Sequence, residues 1–422
     1  MPTNADLTRR RAAAIPRGVG NSLQVYAERA SNGEIWDVEG RRYIDFGSGI
    51  AVLNTGHLHP KVQGAVAAQL ARLSHACFQV TPYESYVALA ERLNSLMPAA
   101  GPHKTLFLTT GAEAVENAIK IARYHTRRSA VIAFGGGFHG RTLACMSLTG
   151  KVQPYKAGFG PLLPEVFHAP FPMAYHGVST AHSLAALEHL FKADVDPARV
   201  AAIIVEPVQG EGGFYVAPPE FLRALRALCD QHGIVLIIDE IQTGFARTGR
   251  MFAIEHSGVE PDLMTVAKSL AGGVPLSAVI GKAPIMDAPL AGGLGGTYAG
   301  NPLAIAASHA VLDIMRDERL PERANVLGAR LLSRLHKLQL SNKTMGDARG
   351  LGAMIACEFV DAQTGAPDAD RTKQIQQAAL KRGLLLLTCG VYGNVLRFLF
   401  PLTIEDAVFE EALVILDDVI GA

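Results

Sequence analysis

Cysteine is scarce in this 422-residue chain, and the five present (Cys77, Cys145, Cys229, Cys357, Cys389) are odd in number, scattered and without a C-x-x-C pair. That argues against a disulfide framework and a cysteine-held zinc ion, and leaves reduced core residues. Net charge is also missing, because 39 basic side chains cancel 39 acidic ones. No overall field then draws the chain to nucleic acid or anionic lipid, and a small molecule is the better partner. No uninterrupted apolar run reaches the roughly 18 residues of a membrane span. The opening MPTNADLTRRRAAAIPRG carries arginines with no apolar segment behind them. A soluble, cytoplasmic protein is expected, with a processed Arg-rich transit segment as the alternative.

What is present points to an enzyme. The length suggests two to three domains at about 150 residues each. Hydrophobic residues at 49% with 42 glycines fit an α/β protein rich in tight strand-to-helix turns. KTLFLTT leads into GAEAVENAIKIARYH, where Val115, Ala118, Ile119 and Ala122 recur at helical spacing and Glu116 stands four before Lys120. AVIAF, AAIIVEP, GIVLIIDE and DLMTVAK read as further buried strands, and PEFLRALRALCDQHG as a helix closed by a glycine. This alternation predicts a mainly parallel sheet flanked by helices. The expected division is a large domain over residues 61–314 and a smaller α+β domain built from 1–60 and 315–422.

Several motifs fail on spacing. AFGGGFHGR satisfies G-x-G-x-x-G at Gly135, Gly137 and Gly140, but no acidic residue follows before Glu165, and TLACMSLTGKVQPY is a poor crossover helix. A plain glycine turn is the better reading than a nicotinamide site. FGSG around Ser48 is not a nucleophile elbow, and His57 and His59 lack a neighbouring carboxylate in GHLHP.

Carboxylates and a lysine at strand ends are harder to dismiss. GIVLIIDE ends in Asp239, AAIIVEP in Glu206, and LMTVAKSLAGGVPL puts Lys268 just after an apolar strand, with room for one crossover since Asp239. Open parallel sheets bind ligands beyond such ends. A desolvated lysine attacks a carbonyl, and an aldehyde cofactor with a pyridine ring needs that amine, an acid at the ring nitrogen and a phosphate cradle. Gly111 and Ala112 open a helix whose N-terminus favours phosphate, and Phe138 stands ready to cover the ring.

These segments, with DFGSGIAVLNTGHLHPKV, VEPVQGEGGFY, IIDEIQTGFARTGR, GGTYAGNP and PLTIEDA, resemble the class III, or omega, pyridoxal-phosphate aminotransferases of fold type I over nearly the whole chain. The resemblance implies Lys268 as the Schiff-base lysine and proton shuttle, Asp239 at the pyridinium nitrogen, and Gly111 and Ala112 at the phosphate. His139 and Gln242 would join the cofactor site. Thr297 would reach the phosphate of a neighbouring subunit, making a homodimer, or a homotetramer built from it, the functional unit. Ala112 departs from the serine many relatives carry. For substrate, the resemblance implies Arg141 on the far carboxylate, Arg397 on the carboxylate beside glutamate's amine, Glu211 neutralising Arg397 when that carboxylate is absent, and Ile50 and Glu206 in the pocket. The implied reaction moves an omega-amino group from 4-aminobutyrate to 2-oxoglutarate. Alternatives are 5-aminovalerate or ornithine as donor, an aminomutase or decarboxylase on the same scaffold, and a nicotinamide-dependent dehydrogenase.

Overall fold

The computed structural model describes residues 2–421. A seven-stranded sheet runs in the order His103–Leu108, Ser277–Lys282, Leu263–Val266, Val235–Asp239, Val200–Val205, Ala130–Phe134, Val166–Ala169. Six strands point one way, and Ser277–Lys282 is antiparallel to both its neighbours. The runs read as buried strands are buried along their whole length, as strands covered on both faces must be. Two strands were not anticipated. Ser277–Lys282 follows the glycine pair so closely that it reads as one loop, and Val166–Ala169 is four residues with a histidine inside.

Helix Gly111–Thr126 buries Val115, Ala118, Ile119 and Ala122, the predicted face. The Glu116/Lys120 pair does not form. Glu116 instead accepts from Thr142 Oγ1, and Lys120 Nζ reaches the Gly293 carbonyl at 3.2 Å. Exposed pairs of this kind are worth only about 0.5 kcal/mol, so nearby partners easily win. Helix Pro219–His232 buries Phe221, Leu222, Leu225 and Cys229 and ends at Gly233, whose φ of 61° closes it in the left-handed region.

A second, antiparallel sheet runs Met345–Leu351, Met354–Phe359, Val395–Phe398, Leu387–Cys389, with helices Leu320–Ser341, Ala369–Lys381 and Asp406–Gly421 around it. A third holds the N-terminal strands Ala27–Ser31, Glu34–Asp37 and Arg42–Asp45, joined in parallel by Leu384–Leu385 from the other end of the chain. The smaller α+β unit is therefore made from both termini. Arg247, fully buried, ties the two units together by donating to the carbonyls of Ala353 (3.2 Å) and Phe400 (2.9 Å) and to Asn54 Oδ1. Helix Pro302–Asp317 runs on past residue 314, and the left-handed Arg319 separates it from Leu320–Ser341.

Candidate active site

The C-terminal ends of the parallel strands deliver their residues to one edge of the sheet. Thr110 follows His103–Leu108, the loop Phe138–Arg141 follows Ala130–Phe134, Glu206 and Glu211 follow Val200–Val205, Asp239 ends its strand, and Lys268 follows Leu263–Val266. Because Ser277–Lys282 runs the other way, its entry, Val274–Leu276, reaches the same edge. Together they line a cavity of about 500 Å³. Such a volume suits a cofactor with a small substrate.

Lys268 sits at φ 44°, a left-handed conformation that costs a non-glycine residue about 1 kcal/mol. The turn Lys268–Ala271 that holds it is closed by Gly272 at φ 56° and pinned by Ser269 Oγ donating to the Ala51 carbonyl at 2.7 Å. This explains the glycine pair. Burial pushes the amine down to about 8, against the opposing pull of Glu211. A neutral amine able to attack a carbonyl is thereby accessible near physiological pH.

Asp239 is held from both sides. Its Oδ2 lies 2.7 Å from His139 Nδ1, while Oδ1 accepts from Thr265 Oγ1 at 3.0 Å and from the Ile241 amide at 3.1 Å. Burial opposes the charged form of His139, but the Asp239 carboxylate overcomes it and raises the imidazole. Glu206 was expected among the substrate contacts. It lines the cavity, and there its Oε1 accepts from the Phe138 amide at 2.8 Å and its Oε2 from the Gly210 amide at 2.9 Å, which braces two loops of the wall. Burial lifts this carboxyl to about 7.

At the start of helix Gly111–Thr126 a capping box uses specific groups. Thr110 Oγ1 accepts from the Glu113 amide at 3.3 Å, Glu113 accepts from the amides of Thr109 and Thr110 at 2.9 and 2.8 Å, and the Ala114 amide bonds the Thr110 carbonyl. The amides of Gly111 and Ala112 take no part in this cap. They remain as donors on the cavity wall, at the positive end of the helix. Gln242 lines the same wall, and its buried Oε1 has no partner among the described residues.

The other end of the cavity is built differently. Arg397, on Val395–Phe398 of the second sheet, is buried and pairs through Nη1 with Glu211 Oε1. Burial disfavours both charges, yet each holds the other ionised: Glu211 is lowered and Arg397 raised. Arg141 lies with its guanidinium 4.8 Å over the Tyr155 ring and 5.8 Å over Phe138. Tyr155 packs on Phe138 at 4.9 Å and donates its hydroxyl to Glu211 Oε2 at 3.3 Å. Sequence reasoning missed Tyr155 and Thr265. The signal for Tyr155 was one aromatic in GKVQPYKAG, a turn-rich loop after the glycine motif, and for Thr265 one hydroxyl inside an apolar strand.

Two expected residues stand apart. Ile50 is not part of this wall; the left-handed backbone at Gly49 and Ile50 leaves its side chain 43% exposed, and Val52 reaches the cavity instead. Thr297 lies in an exposed turn away from the cavity of its own chain. His57 and His59 turn to separate carboxylates, Asp45 (2.8 Å) and Glu318 (3.1 Å), each outside GHLHP.

A desolvated amine, an oriented carboxylate and free helix-start amides in one cavity fit a carbonyl cofactor with a pyridine ring and a phosphate, the group that defines fold type I pyridoxal-phosphate enzymes. The profile of the aminotransferase class-III family matches residues 14–420. The chain is 56% identical to the 5-aminovalerate aminotransferase of Pseudomonas aeruginosa over 98% of this chain and 97% of that one. It is 54% identical to the 4-aminobutyrate aminotransferase of Escherichia coli over 99% and 98%. Among solved structures, the ornithine aminotransferase of Toxoplasma gondii superposes with a TM-score of 0.89 at 31% identity, covering 100% of this chain and 95% of that one. This chain belongs to the class III aminotransferases. It is a transaminase that uses pyridoxal 5'-phosphate, as the sequence resemblance implied.

Proposed function

We propose that the chain moves the omega-amino group of 4-aminobutyrate to 2-oxoglutarate, giving succinate semialdehyde and glutamate. The single observation that carries this reading is the buried pair of Arg397 and Glu211 beside Arg141. A donor without a carboxylate next to its amine would leave Arg397 a buried, unpaired charge, a penalty of about 3–5 kcal/mol. Glu211 removes that penalty. When glutamate or 2-oxoglutarate binds, Glu211 swings aside and Arg397 takes the second carboxylate in a bidentate pair. Arg141 holds the far carboxylate of either substrate. An aminomutase or decarboxylase would not need this exchange.

Bound pyridoxal phosphate supplies an aldehyde that exchanges amines and a ring that accepts the electron pair released at the substrate carbon. The chain supplies the rest. Lys268 Nζ would hold and move the proton released at the substrate carbon, a task suited to an amine titrating near the working pH. Asp239, fixed by His139, Thr265 and the Ile241 amide, would keep a proton on the ring nitrogen. Gly111 and Ala112 would hold the phosphate through their amides, and Phe138 would pack against the ring. Gln242, with its unpartnered Oε1 on the wall, would contribute its side-chain amide to the same group. Thr297, exposed in one chain, meets the phosphate of a second copy, so the working unit is a homodimer or a homotetramer assembled from it, and the compartment is the cytoplasm. We divide the two units of the chain at Arg319, where the backbone turns between helices, and near residue 60.

A second reading is supported by the 56% identity to a 5-aminovalerate aminotransferase. One methylene discriminates by only about 1–3 kcal/mol, so overlap between the two donors is expected. A panel of amine donors with 2-oxoglutarate tests both: 4-aminobutyrate and 5-aminovalerate should exceed ornithine in kcat/KM, and a preference for alpha-amino donors would overturn the proposal.

A further inference from the structure

Between the two arginines of the substrate end lies a phenol that the reaction as described does not use. Tyr155 meets Phe138, Arg141 and Glu211 there. Its ring packs on Phe138 and lies 4.8 Å beneath the Arg141 guanidinium, and its hydroxyl donates to Glu211 Oε2 at 3.3 Å. The two oxygens of Glu211 are thus divided, Oε1 to Arg397 and Oε2 to Tyr155. A carboxylate gripped by donors on both oxygens has one orientation, whereas one held through a single oxygen still rotates.

The backbone around Glu211 is tied on both sides. Its carbonyl accepts from the Gly390 amide at 3.0 Å, and the preceding Gly210 amide is bound to Glu206 at 2.9 Å. The Gly390 carbonyl is itself tied to Lys151 Nζ at 2.7 Å. Movement is left to the side chain of Glu211, and the bonds it must break are the pair with Arg397 and the bond to Tyr155. The incoming substrate carboxylate replaces the first. The second is made with Glu211 in its inward position, which it therefore favours. Burial keeps the phenol protonated, at about 12, and so a donor at any working pH.

We propose that Tyr155 is a positioning residue that holds Glu211 over Arg397, and so sets how well the enzyme accepts a donor lacking a carboxylate beside its amine. The proposal rests on the gating reading above and adds the group that biases the gate. Removing one hydroxyl while keeping the ring, in Tyr155→Phe, leaves the contacts with Phe138 and Arg141 in place. A hydrogen bond to a charged group is worth about 1.5 kcal/mol at the lower end, or roughly tenfold in rate.

The test is a double-mutant cycle with Glu211→Ser on the holoenzyme, reading the 4-aminobutyrate and glutamate half-reactions separately in single turnovers. Tyr155→Phe is expected to slow the 4-aminobutyrate half-reaction about tenfold and to change the glutamate half-reaction by less than about twofold. In the Glu211→Ser background the same change should have no further effect on the ratio of the two, since the group it positions is gone. Equal slowing of both half-reactions would assign Tyr155 to packing and overturn the proposal. So would an undiminished effect on the ratio in the absence of Glu211. If Glu211→Ser separates the half-reactions and Tyr155→Phe does not, the proposal fails while the gate stands; if Glu211→Ser slows both alike, the gate falls and the proposal with it.

Discussion

The cavity has two ends built on different principles. At the cofactor end, Asp239, Thr265 and Lys268 come from the adjacent strands Val235–Asp239 and Leu263–Val266, and three donors fix the carboxylate. At the substrate end, Arg141, Tyr155, Glu211 and Arg397 come from three loops and a strand of a different sheet, and they meet through one ion pair, one hydrogen bond and ring contacts. Strand neighbours cannot move independently, whereas side chains from separate loops can exchange partners. The contrast suits the two duties. One end performs the same proton transfers for every substrate, and the other must accept two substrates of unlike charge.

If that contrast is right, damage at the cofactor end should strike both half-reactions alike. The largest effect is expected for Lys268→Ala, which should slow each half-reaction by about 10⁴-fold and shift the absorbance of the bound cofactor. Absorbance and single-turnover rates check this together. His139→Phe removes the donor on Asp239 Oδ2 and should slow both by about 10–100-fold, the value of a charge-assisted bond. Stopped-flow traces with 4-aminobutyrate and with glutamate should fall in parallel. A pH dependence follows from the depressed lysine. In the apoprotein Lys268 is an ammonium below about 8 and a free amine above it. The rate of pyridoxal phosphate uptake should therefore rise about tenfold between roughly pH 7 and pH 9 and then level. Spectral titration of the apoprotein gives the profile. The smallest effect is expected for Thr265→Val, about fivefold on both half-reactions for one neutral donor lost.

The same contrast explains what the sequence disclosed. Asp239 and Lys268 were legible because each ends an apolar run at the same edge of the sheet, and the two together match what one ligand needs. Helix Gly111–Thr126 was legible from its period and its cap. The substrate end carried no such local sign. Arg397 lies in an apolar strand whose partner, Glu211, is far away in sequence, so only a family resemblance linked them, and Tyr155 lay in a loop with nothing periodic about it. Glu206 was placed at the right edge of the sheet, but its two backbone-amide partners were not legible, because they come from loops that only the fold brings to it. The antiparallel strand Ser277–Lys282 was hidden by its nearness to the lysine turn. Residues whose position follows from one element can be read from that element; those defined by a meeting of elements need the fold.

The most direct test pairs one variant from each end, Asp239→Asn and Glu211→Ser, and measures both half-reactions of each in single turnovers. The account predicts that Asp239→Asn slows the 4-aminobutyrate and glutamate half-reactions by the same factor, about 10²–10³, while Glu211→Ser slows the first about 10²-fold more than the second. A Glu211→Ser enzyme that kept the ratio of the unaltered protein would contradict it.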